Sequence, residues 1–170
     1  MDKRYFLIII IIFICCINLY MFSNVSNVVG SASADMGNFT FTLPEGFTLY
    51  EAENTKIQIV NSNTKMEIWL FSSLVKEDTF LNKYNEINKS KEFKILGNGT
   101  INNNGIIIDS LFYQEINDSS NRSTFYFTKD DNNFRILVMG YDYNSQKNDT
   151  ITLITNIVES IRTNYKVQKT

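Results

Sequence analysis

The chain has 170 residues with 16 Lys and Arg against 18 Asp and Glu, no histidine, and two cysteines, Cys15 and Cys16, both inside one apolar run. Without histidine, Ser-His-Asp and Cys-His relays and histidine zinc sites are excluded, and the chain beyond the apolar run has no thiol for a disulfide, a nucleophile or a thiolate metal site. Nucleic acid is an unsuitable partner as well, because the densest basic group, Lys83, Lys89, Lys91 and Lys94, is interleaved with Glu86 and Glu92 and reads as solvated surface.

From Tyr5 to Phe22 only Asn18 interrupts the apolar run. At about 1.5 Å per residue this stretch nearly crosses a hydrocarbon core of roughly 30 Å. Residues 1–22 therefore read as a signal-anchor or transmembrane helix, with the membrane as a partner through that helix. Lys3 and Arg4 precede the run and Ser23 to Ala34 carries no charge, so the positive-inside bias places the remainder outside the cell membrane in a single-pass arrangement. The alternative is secretion after cleavage at Ala34, where Ala32-Ser33-Ala34 has the small-x-small chemistry of a processing site but lies a dozen residues beyond Phe22. Ile14 before Cys15 is too large for a lipoprotein signal, so the cysteines read as small apolar side chains. Residues 23–37 read as a spacer, 38–165 as one extracytoplasmic domain and 166–170 as a tail.

Within the domain, Phe39 to Leu43 alternates with period two and stops at the turn signal Pro44-Glu45-Gly46. Lys56 to Val60 and Lys65 to Phe71 follow as strands. The period then changes: Phe80, Tyr84 and Ile87 share one helical face, so a helix is expected over Asp78 to Lys89 with Glu77 or Asp78 as cap. Phe93 to Leu96 reads as a strand that leads through Gly97-Asn98-Gly99 into Thr100-Ile101, and Asn102 to Gly105 reads as a tight turn. Gly105 to Glu115, Arg122 to Thr128 and Phe134 to Tyr141 complete the strands as a meander, the last apolar on both faces and so expected at the sheet centre. Ile151, Ile154, Val158 and Ile161 then mark a closing helix, with Asn148 or Asp149 positioned to cap it. The expected class is α+β, a mainly antiparallel sheet of about six to eight strands with two covering helices.

The "FTFTLPEGF" opening, one helix after short strands, a hairpin-rich sheet and the closing "ITNIVESIRTN" helix resemble the PsbP-like family, in its membrane-attached non-photosynthetic prokaryotic type, over about Asn38 to Asn164. The resemblance implies an α-β-α sandwich acting as a small accessory or binding domain. Histidines that serve metal sites in some members have no counterpart here.

Carboxylates are the remaining catalytic option. Glu51 with Glu53, or Asp109 with Glu115, could form an acid and base pair, although alternate acids on a strand ordinarily mark its solvated face. The Asp130 to Asn133 stretch lacks calcium-loop spacing and reads as a hairpin turn. No catalytic, cofactor or metal residue is assigned. Trp69, Tyr126 and Tyr141 are the aromatics singled out as a ligand surface for an apolar ligand, an envelope protein or a glycan. Asn-x-Ser/Thr sequons stand at Asn24, Asn38, Asn88, Asn98, Asn117, Asn121 and Asn148, and the five from Asn88 to Asn148 are candidate glycosylation sites. The expectation is a non-catalytic extracytoplasmic accessory or binding module; the rival is a small-ligand carrier or carboxylate-dependent enzyme with a pocket between sheet and helix.

Overall fold

The structure, a computed structural model, describes residues 33–35, 39–53, 55–72 and 74–163. The expected anchor at 1–22, most of the spacer and the tail at 166–170 lie outside the described residues, as do the sequons at Asn24 and Asn38. Among the described residues no helix is long and apolar enough to cross a membrane.

The described residues form ten strands and two helices in the order β1 (Ser33–Asp35), β2 (Phe39–Thr42), β3 (Thr48–Glu53), β4 (Lys56–Asn61), β5 (Met66–Ser72), α1 (Phe80–Lys89), β6 (Phe93–Asn103), β7 (Ile106–Glu115), β8 (Asn121–Lys129), β9 (Asn132–Met139), α2 (Tyr143–Ser160) and β10 (Arg162–Thr163). Seven strands form one antiparallel sheet in the order β3-β4-β5-β9-β8-β7-β6, and β1, β2 and β10 form a small second sheet. The architecture is α+β, as expected. The order is not one meander: β3-β4-β5 and β6-β7-β8-β9 are two meanders joined where β5 pairs with β9, from Glu67 opposite Met139 to Ser72 opposite Phe134. β9 is the fourth strand of seven, the central place its apolar composition predicted.

Alternation sorts side chains between the two faces. Ile57, Ile59, Ile68, Leu70, Ile136, Val138, Phe125 and Phe127 all turn toward α2 and the small sheet, where Phe39 sets its ring edge-on to Phe134 at 4.9 Å. Helix α2 buries Thr150, Ile154, Ile157 and Val158 on that face, and Ile161 closes it. Ile151, expected in the stripe, is only half-buried, and Ile157 takes the central place instead. On the other face α1 places Ile87 over Leu111 and Tyr113. It covers the β6 and β7 side; no described helix covers the β4 and β5 side.

Several expected boundaries move. Helix α2 starts at Tyr143, not near Asn148, because Asp142 caps it: its carboxylate accepts from the Asn144 N–H at 3.0 Å while Gln146 Oε1 accepts from the Asp142 N–H at 2.8 Å. The first turns are polar apart from Tyr143, whose ring leans on Phe112, so they lack the apolar spacing that marks a helix in sequence. Helix α1 is capped by Thr79, whose Oγ1 accepts from the Asn82 N–H at 3.3 Å, and not by Glu77 or Asp78. Gly97-Asn98-Gly99 runs straight through β6 with only a bulge between Ile95 and Gly97, because neither glycine adopts positive φ and β7 offers a continuous partner. Strand β3, β1 and β10 were not anticipated. At the foreseen turns, positive φ falls on Asn104 and Gly105 and on Asp130 and Asp131.

Truncating a fully buried helix side chain removes transfer energy and leaves a cavity. Ile154→Ala should therefore cost about 2–5 kcal/mol in a fragment that keeps β1, from Ser33 onward, read by thermal or urea unfolding, with the half-buried Ile151→Ala losing clearly less. Equal losses would show that α2 docks on a different stripe.

Candidate functional site

The connection from β5 to α1 is turned by the Asp78 N–H bonding the Val75 carbonyl at 2.9 Å. This aims the Asp78 side chain down at the sheet. There Arg135 Nη1 meets Asp78 Oδ2 at 2.6 Å, and the Tyr126 hydroxyl donates to Asp78 Oδ1 at 2.9 Å. Arg135 and Tyr126 are cross-strand neighbours on β9 and β8, so pairing register alone brings the cation and the phenol to one carboxylate. The Arg135 guanidinium also lies 4.3 Å from the centroid of the Phe71 ring, and Phe80 packs edge-on against Tyr126.

Beside this network lies an open cleft of about 700 Å³, between the β5–α1 connection with the start of α1 and the ends of β7, β8 and β9. Its floor includes Tyr126, and its walls include Val75, Leu81 and Ile107, which are 68%, 63% and 51% exposed. Half of the six large apolar side chains left exposed in the described domain thus converge on one cleft, a distribution that isolated surface apolars do not show. Burial raises the Tyr126 phenol to about 12, and the Asp78 carboxylate adds to the effect. The hydroxyl therefore serves as a donor and stays protonated at physiological pH.

The three aromatics singled out in the sequence are not brought together. Tyr126 lies in the cleft. Trp69 lies on the same face two strands farther on, with Leu137 between it and Thr124. It is half-buried beside Phe71 with near-parallel rings, and Lys56 Nζ is 4.3 Å from its ring centroid. Tyr141 is on the opposite side, buried in the α2 core, where burial raises its phenol to about 12. The carboxylate pairs are separate as well: Glu51 pairs with Lys56, Glu115 with Arg122, and Asp109 accepts from Thr100 at 2.9 Å. Asp109 and Glu115, six residues apart on one strand, are about 20 Å from each other. Asp130 and Asn133 belong to the β8–β9 hairpin. Among the described residues no three His, Cys, Asp or Glu side chains cluster as metal ligands would.

Asn88, Asn98, Asn117 and Asn148 are exposed, whereas the Asn121 amide donates to the Tyr141 carbonyl and its oxygen accepts from Gln114. Sequence reasoning missed Val75, Leu81, Ile107, Asp78 and Arg135 as site residues. In the sequence Asp78 reads, with Glu77, as a cap candidate, and no periodicity links the others.

The structure resembles the solution structure of cyanobacterial PsbP (CyanoP) from Synechocystis sp. PCC 6803, with a TM-score of 0.52 and 9% identity over 82% of this chain and 96% of that one. The fold is PsbP-like. Lower scores relate it to a crystal structure from Bacteroides thetaiotaomicron VPI-5482 (0.46, 10% identity, 81% of this chain and 49% of that one) and to a protein of unknown function, PA94, from Pseudomonas aeruginosa (0.41, 9% identity, 73% and 93%). No protein-family model and no curated protein matches the sequence.

A phenol whose folded pKa is raised stabilises the fold fully below its unfolded value near 10, and that contribution is lost as pH rises toward about 12. Urea unfolding should thus show constant stability contributions from Tyr126 and Tyr141 up to pH 10 and a fall of about 2–3 kcal/mol for each above it. Tyr126→Phe should lose about 1 kcal/mol at neutral pH with its hydrogen bond, and should decline less steeply above pH 10. An unchanged alkaline slope in that variant would contradict the assignment.

Proposed function

We propose that this chain is a membrane-tethered, extracytoplasmic binding module that performs no reaction, and that its ligand is an apolar group seated in the cleft beneath α1. The observation that carries this reading is the convergence of Val75, Leu81 and Ile107 on a cleft whose two carboxylates are both engaged, Asp78 by Arg135 and Tyr126 and Asp109 by the Thr100 hydroxyl. A general base needs a free carboxylate within reach of its substrate's proton. Asp78 instead holds a guanidinium and a phenol at once, and displacing either would strand a largely buried polar group. The cleft therefore suits recognition by area, with Tyr126 and Asp78 fixing its floor. A PsbP-like fold supports an accessory role, since it brings no catalytic constellation of its own to these residues.

The tether rests on the apolar Tyr5 to Phe22 run and on Lys3 and Arg4 before it. Full-length protein should sediment with membranes and resist carbonate extraction; recovery of a soluble form beginning at Asp35 would favour secretion. For the cleft, the fragment from Ser33 onward, which keeps β1, should enhance the fluorescence of 1-anilinonaphthalene-8-sulfonate saturably. Leu81→Asp should weaken that binding by roughly tenfold, as expected for about 1.4 kcal/mol of lost apolar contact. Because Leu81 is exposed, the melting temperature should hold. Unchanged dye binding in the variant would remove the cleft from consideration.

A further inference from the structure

The two edges of the seven-stranded sheet are protected unequally. Strand β3 has six residues, carries Glu51 and Glu53, and is interrupted by a bulge between Leu49 and Glu51 where Tyr50 stands 75% exposed. Those are the devices that prevent a foreign strand from adding to an edge. Strand β6 runs for eleven residues, and its bulge, between Ile95 and Gly97, ends before the stretch that matters. From Gly97 to Asn103 it holds no charge and no proline, and Asn98, Gly99, Thr100 and Asn102 are exposed. Among the described residues no strand pairs with its outer side, so alternate N–H and C=O groups there lack a backbone partner.

The side chains beside this edge are arranged as a socket. Gly97 and Gly99 share the α2 face with Ile101, being paired with Phe112, Ser110 and Ile108 on β7. Next to the two glycines, Leu96, Ile101 and Tyr143 pack against the core only in part. A Cβ at Gly99 would meet only Ser110 Oγ, in ordinary contact at 3.8 Å, whereas one at Gly97 would meet the Tyr143 hydroxyl at 3.0 Å, so the room lies over Gly99. An apolar side chain brought in on a neighbouring strand would complete the burial of those three residues. At the N-terminal end of β6, Lys89, Lys91 and Lys94 are exposed and make no ion pair among the described residues, with Glu92 as the single opposing charge in that run.

We propose that Gly97–Asn103 receives an extended, acidic segment of a partner protein as an eighth, antiparallel strand of the sheet. Backbone hydrogen bonds supply the affinity, one apolar side chain seated over Gly99 supplies the fit, and acidic residues at the segment's C-terminal end meet Lys91 and Lys94. The antiparallel sense follows from the sheet, in which every pair is antiparallel. This surface is separate from the cleft under α1.

The test uses the full chain in a mild detergent and a fluorescent synthetic peptide of alternating valine and threonine that ends in a run of glutamates. Anisotropy should show saturable binding, and amide hydrogen exchange should slow at Gly97–Asn103. The same peptide ending in lysines should bind roughly tenfold more weakly. Gly99→Lys places a charge in the socket where a Cβ has room, so it should weaken binding by roughly tenfold or more while the melting temperature stays unchanged. Leu81→Asp should leave peptide binding intact, which separates this outcome from that of the cleft. The proposal is overturned by absence of saturable binding, by binding indifferent to Gly99→Lys, or by concentration-dependent protection of the β6 edge without peptide, which would make a second copy the occupant.

Discussion

The pairing of β5 with β9 is the constraint on which the rest of this domain depends. It is the single seam between two meanders that are otherwise built from neighbours in sequence, and it joins residues roughly seventy positions apart. Closing so long a loop costs conformational entropy before any contact rewards it, so the seam must be secured from more than one side. Two local features secure it. At its start, Gly140 takes a φ of +74° directly against Lys65, whose carbonyl oxygen would lie 2.2 Å from any Cβ placed there. That close backbone approach lets β9 finish beside the turn from which β5 departs. At the other end, Asp78, just beyond β5, ion-pairs with Arg135 on β9 and accepts from Tyr126 on β8.

The same network positions the candidate site. Were Asp78 a helix cap, its carboxylate would point at the first turn of α1 and the β5–α1 connection would be free to lift. Because Thr79 takes the cap, Asp78 is released to tie that connection to the sheet. The charged groups are largely screened from water, with about a quarter or less of each side chain accessible, so breaking one partner would leave the other poorly solvated. Val75 and Leu81 flank Asp78 on either side in sequence. Their exposure at the cleft is therefore a consequence of a rigid anchor and does not depend on a loose loop.

Much of this was legible from residue order alone. Strand-like apolar patterning marked β4, β5, β7, β8 and β9, the last by being apolar on both faces, and the Ile154 and Val158 spacing marked α2 because its buried face is apolar apart from Thr150. What escaped has specific physical causes. Strand β3 is exposed along nearly its whole length, so it carries no alternation. The glycines of β6 resemble a turn locally, and only the unbroken β7 partner keeps them extended. The first turns of α2 are held by Asp142 and Gln146 and not by apolar contact. The site was the least legible part, since Tyr126, Arg135, Asp78 and Ile107 come from four separate segments and meet only through strand register and a tertiary ion pair. Of the aromatics singled out, Tyr126 and Trp69 fall on one face; Tyr141 has the parity of Arg135 and Leu137 on that face, and the positive φ of Gly140, just past the end of β9, sends it to the other.

The uneven cover of the sheet links the two candidate surfaces. One face is closed by α2 and the small sheet, and its interior is mostly apolar, with Ser72, Ser110, Ser123, Thr150 and Tyr141 as the buried hydroxyl groups. The other face is covered by the ten residues of α1 over β6 and β7 only. A helix that short cannot span seven strands, since it measures about 15 Å while the sheet is about 28 Å across. The residues beyond its reach are protected by cations instead: Lys56 lies over Trp69 and Arg135 over Phe71. In the cleft beside the start of α1 and along the outer side of β6, apolar side chains and backbone groups remain open. Both places border elements that are themselves rigid, so a ligand or a strand docking there would meet a surface already in position, and little of its binding energy would go into ordering the protein.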